Sequence, residues 1–360
     1  MKTVGISGYY SSGSSAFVDL LHEFDETQVL DFEFGLVYNL DGLGDLVTNM
    51  NRSVAFTSVA IERFKNIALK PFIRGTITEK EMDKFINDFL NEVIQYFWNF
   101  GNRDPNNVFN KYLYLLCMKN IRNKHLRHLR DVMIKILHRA CRIDIGIRPI
   151  VMWEEVEKAS KQFVFNVLTA MNIDCNCEKK DVVVINQPFS VRDPISSFKF
   201  FENPVAIIVD RDPRDQYLFG KHFLLPKKKT CGFPCGNVDD YIRWFRSSHK
   251  SLPDLRREKN VMLLNFEELV YDCENTTKKV ADFLGISKQI RKGECFKPTH
   301  SVNNTQLFKK YVGCESDIKK IERQLSDYIF PFENYSDIKP EGEMFCGSQN
   351  NKNHVHNKYH

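Results

Sequence analysis

Long apolar runs are absent from the sequence. No segment approaches the roughly 18 to 20 consecutive apolar residues that a membrane-spanning helix needs. The first apolar stretch is interrupted by Gly5, Ser7 and Gly8, which is unlike the uninterrupted core of a secretory signal. We therefore expect a cytoplasmic protein with no integral membrane segment.

Closely paired cysteines are also scarce. The chain has ten cysteines, but only Cys175 with Cys177 and Cys231 with Cys235 lie close together. Neither pair has a second pair at the spacing of zinc ligands. In a reducing cytoplasm these side chains are expected to be thiols, so the sequence predicts no metal site.

The sequence has no large excess of charge of either sign. Lysine and arginine total 51 against 46 acidic residues, which gives a net charge of +5. This mild positive charge fits a protein that binds a polyanionic small molecule or an acidic glycan, and it is too small to predict a nucleic-acid partner. With 360 residues, of which 42% are hydrophobic, the chain can bury a large globular core.

Short runs of β-branched residues alternate with amphipathic helical segments in two parts of the chain. Such alternation is typical of a parallel sheet with right-handed crossovers. The fold class predicted is α/β, with a parallel sheet flanked by helices. Strands are predicted at residues 2–7, 29–34, 182–186, 205–210 and 261–266, and helices at 14–23 and 275–284.

Between these two parts, helical spacing replaces the strand pattern. We expect loop and turn at 35–50, with Asp41 and Gly42 in a turn, then an insertion of several helices over 52–142 without strands. An apolar stripe from Ile86 to Phe97 is expected to form one helix of this insertion, and a further helix is predicted over 154–171. The predicted organisation is one domain over 1–340 containing this insertion, followed by a disordered polar tail at 341–360.

The most informative local feature is a loop between the first strand and the first helix. It reads Gly8-Tyr-Tyr-Ser-Ser-Gly-Ser-Ser15, which has the Gly-x₄-Gly frame of a phosphate-binding loop. Backbone N–H groups and the positive end of the helix can bind a phosphate there. Ser14 stands where nucleotide-hydrolysing enzymes have lysine, which argues against an ordinary ATPase or GTPase. The alternative is a Gly/Ser turn that only caps a helix.

A second charged segment follows the strand predicted at 205–210. It reads Asp210-Arg-Asp-Pro-Arg-Asp215, and ligands of open α/β sheets bind beyond the carboxyl ends of strands. A guanidinium suits bidentate binding of phosphate, so Arg211 and Arg214 are candidates. Asp212 and Asp215 are expected either to brace these arginines or to cap the next helix. The alternative is a surface turn of ion pairs.

Together these segments resemble the sulfotransferases that use 3′-phosphoadenosine 5′-phosphosulfate (PAPS). Ser11-Ser-Gly-Ser-Ser15 is similar to the family's Lys-Ser-Gly-Thr-Thr loop, and 210–215 to its 3′-phosphate segment. Asn265–Val270 with Ala281–Ile286 resembles the Tyr-Glu-Asp-Leu-Val and Phe-Leu-Gly stretches, and Ser301–Asn304 the late segment that folds over the cofactor. The resemblance covers 1–40 and about 180–312.

The resemblance implies a fold like that of P-loop NTPases and PAPS as sulfuryl donor, with 3′-phosphoadenosine 5′-phosphate (PAP) as product and no metal. Two positions depart from the family: its loop lysine is Ser11 here, and its serine eight residues after the first arginine is Phe219. The implied cofactor-binding residues are Tyr10, Ser11, Ser12, Gly13, Ser14, Ser15, Arg211, Arg214, Ser301 and Asn304.

Glu33 is the candidate general base for deprotonating an acceptor hydroxyl. It ends the second predicted strand, and glycan-directed members of the family place their catalytic glutamate similarly. Asp31 and the histidines of the insertion are rivals. The function predicted is sulfuryl transfer from PAPS to a carbohydrate hydroxyl. A P-loop kinase of a nucleotide or sugar, and a non-catalytic PAPS-binding relative, are the alternatives.

Residues 119–142 contain eight lysines and arginines against the single acidic Asp131. This run is interpreted either as a platform for an anionic acceptor or the cofactor phosphates, or as an ordinary solvated helix face. A membrane-surface role ranks below both.

Overall fold

The computed structural model describes residues 2–52, 54–69, 77–100, 125–126, 128–129, 132–133, 146–171, 182–228, 231–287, 295–335, 340 and 342–345. The chain divides into two compact units. The first unit comprises Met1–Val37 and Asn172–His360, and the second comprises Tyr38–Met171.

The described residues contain seven strands: β1 Lys2–Gly8, β2 Thr27–Glu33, β3 Ile94–Phe100, β4 Gly146–Val151, β5 Val182–Asn186, β6 Pro204–Asp210 and β7 Val261–Asn265. The helices described are α1 Ser14–Leu21, α2 Leu43–Arg52, α3 Val54–Ala68, α4 Glu79–Val93, α5 Trp153–Ala170, α6 Ile195–Phe198, α7 Pro213–Phe219, α8 Leu225–Lys228, α9 Val238–Ser248, α10 Leu252–Leu255, α11 Phe266–Tyr271, α12 Cys273–Leu284, α13 Pro298–Ser301 and α14 Glu315–Gln324. A π-helical turn, Gly220–Leu224, joins α7 to α8.

The first unit is built on a five-stranded sheet in the order β2-β5-β1-β6-β7. Every pairing in this sheet is parallel. The β-branched runs predicted as strands lie in it, because strands covered on both faces are apolar along their whole length. The predicted parallel α/β architecture is confirmed.

Packed side chains cover both faces of this sheet. On one face, Val4 and Ile6 of β1 pack in a core with Phe17 of α1 and Val280 of α12. On the other face, Gly5 has no room for a side chain, since a Cβ there would lie 2.2 Å from the ring of Phe189. The sheet is therefore buried on both sides, which leaves its edges and strand ends for a ligand.

The predicted end of the helix at 275–284 is confirmed. Helix α12 stops at Gly285, which takes the left-handed conformation at φ 68°. Beyond it, the N–H of Ile286 donates to the carbonyl of Ala281 at 3.1 Å, as in a Schellman cap.

Two predictions for the middle of the chain are wrong. Residues 43–50 belong to helix α2, whose buried Leu43, Leu46, Val47 and Met50 have helical spacing. The helix predicted to continue through Phe97 ends at Val93, and Ile94–Phe100 is strand β3. This segment is dense in aromatic residues, which favour strands, so the 52–142 insertion is not wholly helical.

In the second unit, β3 pairs antiparallel with β4. Its core contains a cluster of three rings, with Phe163 of α5 lying 5.6 Å from Phe64 of α3 and 5.8 Å from Phe89 of α4. Across the described residues of both units, no helix combines the length and apolarity needed to span a bilayer.

Candidate functional site

The phosphate loop predicted from sequence lies at the carboxyl end of β1. Gly8 ends the strand, the N–H of Ser12 donates to the carbonyl of Tyr9 at 2.9 Å, and α1 begins at Ser14. Gly13 has φ 82° and a Cβ there would lie 2.4 Å from the ring of Phe266. This position therefore requires glycine for both backbone conformation and space.

Two features of the loop fit an anionic ligand. The α1 N-terminus presents its free N–H groups and positive dipole end at Ser14 and Ser15. The hydroxyl of Ser12 is buried and has no hydrogen-bond partner among the described residues. A buried hydroxyl without a partner is destabilising, so a ligand oxygen at this loop would satisfy a group that the chain leaves unpaired.

Gln216 of α7 fixes the backbone of the loop. Gln216 donates from Nε2 to the carbonyl of Tyr10 at 2.5 Å, and its Oε1 accepts the hydroxyl of Tyr241 at 2.8 Å. The Tyr10 ring itself is 60% exposed. The loop is thus fixed at its backbone while this ring remains available to a ligand.

Arg211 lies at the carboxyl end of β6, as predicted, but its side chain is turned into the protein. Nη1 donates to the carbonyl of Ser11 at 2.9 Å and Nη2 donates to the carbonyl of Asn304. Only 3% of the residue is exposed, and burial lowers the pKa of its guanidinium. Arg211 therefore ties the phosphate loop to the segment around Asn304.

Two aromatic rings enclose this guanidinium. Its carbon lies 5.1 Å from the ring centre of Phe219 and 5.6 Å from that of Phe266, within the range of cation–π attraction. Phe219 is the position where the resembling family has serine. A hydroxyl that could bind phosphate is thus replaced by a ring that covers the arginine, although Nε of Arg211 still has no partner among the described residues.

Arg214, the second predicted phosphate ligand, is used inside the protein. It donates to both carboxylate oxygens of Asp212 at 3.0 and 2.8 Å and to Glu322 at 2.9 Å, and it stacks 3.8 Å from the ring centre of Phe308. Asp212 also caps α7 by accepting the N–H of Arg214. The predicted bracing by Asp212 is confirmed for Arg214.

Asp215 braces the late segment. Its two oxygens accept the N–H groups of Gln306 and Leu307, both at 2.7 Å. Burial and the neighbouring Asp212 raise the pKa of Asp215 to about 7, against the opposing effect of Arg211. The late segment is therefore bound to the β6–α7 connection at two points, through Asp215 and through Arg211.

Ser301 is buried at the end of α13, and Asn304 lies near the loop through its backbone carbonyl. The Asn304 side chain pairs with the backbone of Phe345, donating at 3.0 Å and accepting at 3.1 Å. Residues 342–345 of the predicted disordered tail are thus ordered against this segment, and the rest of the tail, with its histidines, lies outside the described residues.

Two groups near the loop were missed by the sequence analysis. Gln187, directly after β5, hydrogen-bonds Gly8 and Ser14, and the rule about carboxyl ends of strands that identified Arg211 would have found it. His249 stacks on Tyr9 with ring centres 3.8 Å apart and contacts Asp210 at 3.1 Å. Nothing in the sequence near His249 signals that role, since it depends on long-range packing.

Glu33, the predicted base, is exposed at the end of β2. Its register partner on β5 is Asn186, directly before Gln187. One strand separates β2 from β1, so Glu33 lies about two strand spacings, or about 10 Å, from the line of β1. Asp31, its rival, contacts His22 at 2.5 Å.

Within the described residues, no group of three histidine, cysteine or acidic side chains could hold a metal ion. Cys231 and Cys235 are thiols. Cys175, Cys177 and most of the basic run at 119–142 lie outside the described residues.

Comparison with known proteins points to one family. The family model described as the sulfotransferase domain matches residues 199–318. A relative named Sulfotransferase 2A1 from Macaca fascicularis is 36% identical over 110 residues, which cover 27% of this chain and 38% of the relative. Its Homo sapiens counterpart is 35% identical over 109 residues with the same two shares. The chain thus spans 38% of the length of the curated relatives it matches.

Solved structures are similar only at a distance. A sulfotransferase from Alicyclobacillus acidocaldarius gives a TM-score of 0.35 at 10% identity, with 91% of this chain and 96% of that chain covered. The α/β fold is assigned from the five-stranded parallel sheet itself.

Proposed function

Because residues 199–318 match the sulfotransferase domain, we propose that the chain transfers a sulfuryl group from PAPS to a hydroxyl of an acceptor. The observation that carries the proposal is the hydrogen bond from Arg211 to the carbonyl of Ser11. It joins the phosphate loop, which lies outside the matched region, to the strand end that lies inside it. One site is thereby built from both segments that resemble the family.

The 5′ end of the donor fits the phosphate loop. The N–H groups at the start of α1, the hydroxyls of Ser12, Ser14 and Ser15, and the unpaired state of the Ser12 hydroxyl support binding of a phosphosulfate there. When bound, the phosphosulfate supplies a sulfuryl group with a 5′-phosphate as leaving group. Loop donors aimed at the leaving oxygen would stabilise the charge that develops on it.

Arg211 keeps donors for a 3′-phosphate. Nη1 and Nη2 each make one hydrogen bond, to the carbonyls of Ser11 and Asn304, and because a guanidinium has five N–H donors, these two bonds do not use up the side chain. Nε of Arg211 is the nitrogen without a partner among the described residues. A ligand oxygen would satisfy it.

For the acceptor side, we propose Glu33 as the general base and a carbohydrate as the acceptor. Glu33 would take the proton of the acceptor hydroxyl while its oxygen attacks sulfur and the bridging oxygen leaves with the nucleotide, so that charge and atoms balance without a metal. The exposure of Glu33 at the carboxyl edge of the sheet supports access to a large acceptor. The mild positive net charge of +5 fits an anionic one. The thiol state of Cys231, Cys235, Cys273 and Cys314 supports a cytoplasmic location.

Ligand-induced thermal stabilisation tests the donor. PAP at about 100 times its Kd is expected to stabilise the protein by about 2.7 kcal/mol, which raises the melting temperature by several degrees. R211A is expected to abolish most of this shift. A shift with ATP and Mg²⁺ but none with PAP would favour a kinase instead, and an unchanged PAP shift in R211A would refute the assignment of Arg211.

A further inference from the structure

Gln187 is the first residue after β5, and its side chain reaches the phosphate loop. Its Oε1 accepts the N–H of Gly8 at 3.3 Å, and its Nε2 donates to Oγ of Ser14 at 3.1 Å. Its own N–H donates to the carbonyl of Ile6 at 2.8 Å. One side chain thus bonds both ends of the loop, the last residue of β1 and the first of α1.

The backbone of Gln187 is unusual. Its φ is 52°, in the left-handed region that residues other than glycine seldom adopt. Such conformations persist where the surrounding structure fixes them, and they concentrate at functional sites. The three hydrogen bonds of Gln187 are the contacts that fix this one.

The orientation of the Gln187 amide follows from the chemistry of its partners. A backbone N–H can only donate, so the oxygen of the amide must face Gly8. The amide NH₂ then faces Ser14, whose oxygen must accept. A serine hydroxyl has a single hydrogen, and because Gln187 does not accept it, this hydrogen is left for another acceptor.

We propose that Gln187 is a positioning residue that keeps the Ser14 hydroxyl as a donor to an oxygen of the 5′-phosphate, the group that PAPS and PAP share. The inference rests on the proposed function, since it assigns a role at the same donor site. Ser11 occupies the position of the family's loop lysine, so binding of the anion at this loop depends on neutral donors. A donor whose direction is fixed binds better than a freely rotating one.

The test is a double-mutant cycle of Q187E and S14A, with the Kd for PAP measured by titration calorimetry on the full chain. Q187E keeps the size of the side chain and the acceptor for Gly8, but it replaces the NH₂ donor with an oxygen. The Ser14 hydroxyl then donates to the new carboxylate and is lost to the ligand. We expect PAP binding to weaken by at least about tenfold in the Ser14 protein.

In the S14A background, Q187E should weaken PAP binding by a clearly smaller factor, because only the repulsion between the new charge and the phosphate remains. Equal factors in both backgrounds would overturn the inference. Melting temperatures without ligand show whether each variant folds. If Q187E does not fold, the neutral Q187M completes the same cycle with S14A. The effects of Q187M and S14A on the Kd for PAP should again be non-additive, and strictly additive effects would overturn the inference.

The two proposals fail differently. A wild-type protein that binds no PAP would overturn the proposed function and this inference with it. A wild-type protein that binds PAP, with Q187E and S14A acting independently, would overturn only the role of Gln187.

Discussion

At the scale of single residues, the site is dominated by charged groups that are buried together. Arg211, Asp212, Asp215 and Glu267 are all buried, and the N–H of Asp212 donates to Oε1 of Glu267 at 3.0 Å. The other oxygen of Glu267 has no partner among the described residues. Burial, followed by the charges of Asp212 and Asp215, raises the pKa of Glu267 well above its ordinary value near 4.5, although Arg211 opposes this.

The raised pKa of Glu267 predicts how stability depends on pH. Above pH 4.5 the unfolded chain loses this proton while the folded protein keeps it, so the unfolded state binds fewer protons and the free energy of unfolding falls as pH rises. E267Q removes this titration and keeps an acceptor for Asp212. The stability of E267Q relative to wild type should therefore increase with pH above 4.5, by at most about 1.4 kcal/mol per pH unit.

Denaturant unfolding of both proteins between pH 4.5 and 8 checks this prediction. The two proteins differ only at residue 267, so the difference between their curves reports the pH dependence that Glu267 introduces. A difference in stability that stays constant over this range would show that Glu267 titrates normally in the folded protein.

The sequence predicted the positions of site residues correctly where the pattern lies within a few neighbouring residues. The Gly-x₄-Gly frame located the phosphate loop, and the strand end located Arg211. The directions of the two arginine side chains were not predictable, because Arg211 bonds Asn304 and Arg214 bonds Glu322, both about a hundred residues away in sequence. The strand Ile94–Phe100 was misassigned because its apolar residues continue the helical spacing of α4.

At the scale of elements, the phosphate loop depends on a close approach between α1 and α11. Gly13 at the start of α1 lies against Phe266 at the start of α11, and its φ is positive. G13A would introduce a left-handed alanine, which costs about 1–2 kcal/mol, and a steric clash in addition. We expect it to lower the melting temperature and to abolish the PAP-induced shift.

G236A is the matched control for G13A. A Cβ at Gly236 meets no atom within 4 Å, so this variant should melt close to the wild-type temperature and keep the PAP shift. Equal behaviour of the two variants would mean that Gly13 is not under the constraint described.

Helix α7 is anchored by the pair of Asp212 and Arg214. Asp212 caps the helix, accepts the N–H of Phe330 at 3.0 Å and pairs with Arg214 through two hydrogen bonds. Removing one partner of a buried ion pair typically costs about 3–5 kcal/mol, because the other charge is left unpaired. R214M, which keeps an apolar stem against Phe308, is expected to be destabilised by roughly this amount.

The same variant separates the two interpretations of Arg214. If Arg214 has a structural role, R214M should lose much of its stability. Its Kd for PAP should change little at a temperature where R214M is folded. Normal stability with a large loss of PAP affinity would instead support the sequence-based prediction that Arg214 binds the cofactor. Chemical denaturation measures the free energy of unfolding, and calorimetric titration measures the Kd for PAP.

At the scale of the whole molecule, the chain has two compact units, each with its own buried aromatic core. In the second unit, Phe163 packs against Phe64 and Phe89. In the first unit, Phe245 stacks on His249 with ring centres 3.8 Å apart and is fully buried. Units with separate cores often unfold as separate cooperative transitions.

We therefore expect calorimetry to resolve two transitions that respond to different substitutions. F163A and F245A each remove a buried ring, which typically costs about 3–5 kcal/mol. F163A should lower one transition and F245A the other, and saturating PAP should raise the transition that F245A lowers, because the phosphate loop belongs to the first unit. A single transition lowered by both variants would mean that the two units unfold together, so that a PAP shift would report on the whole chain.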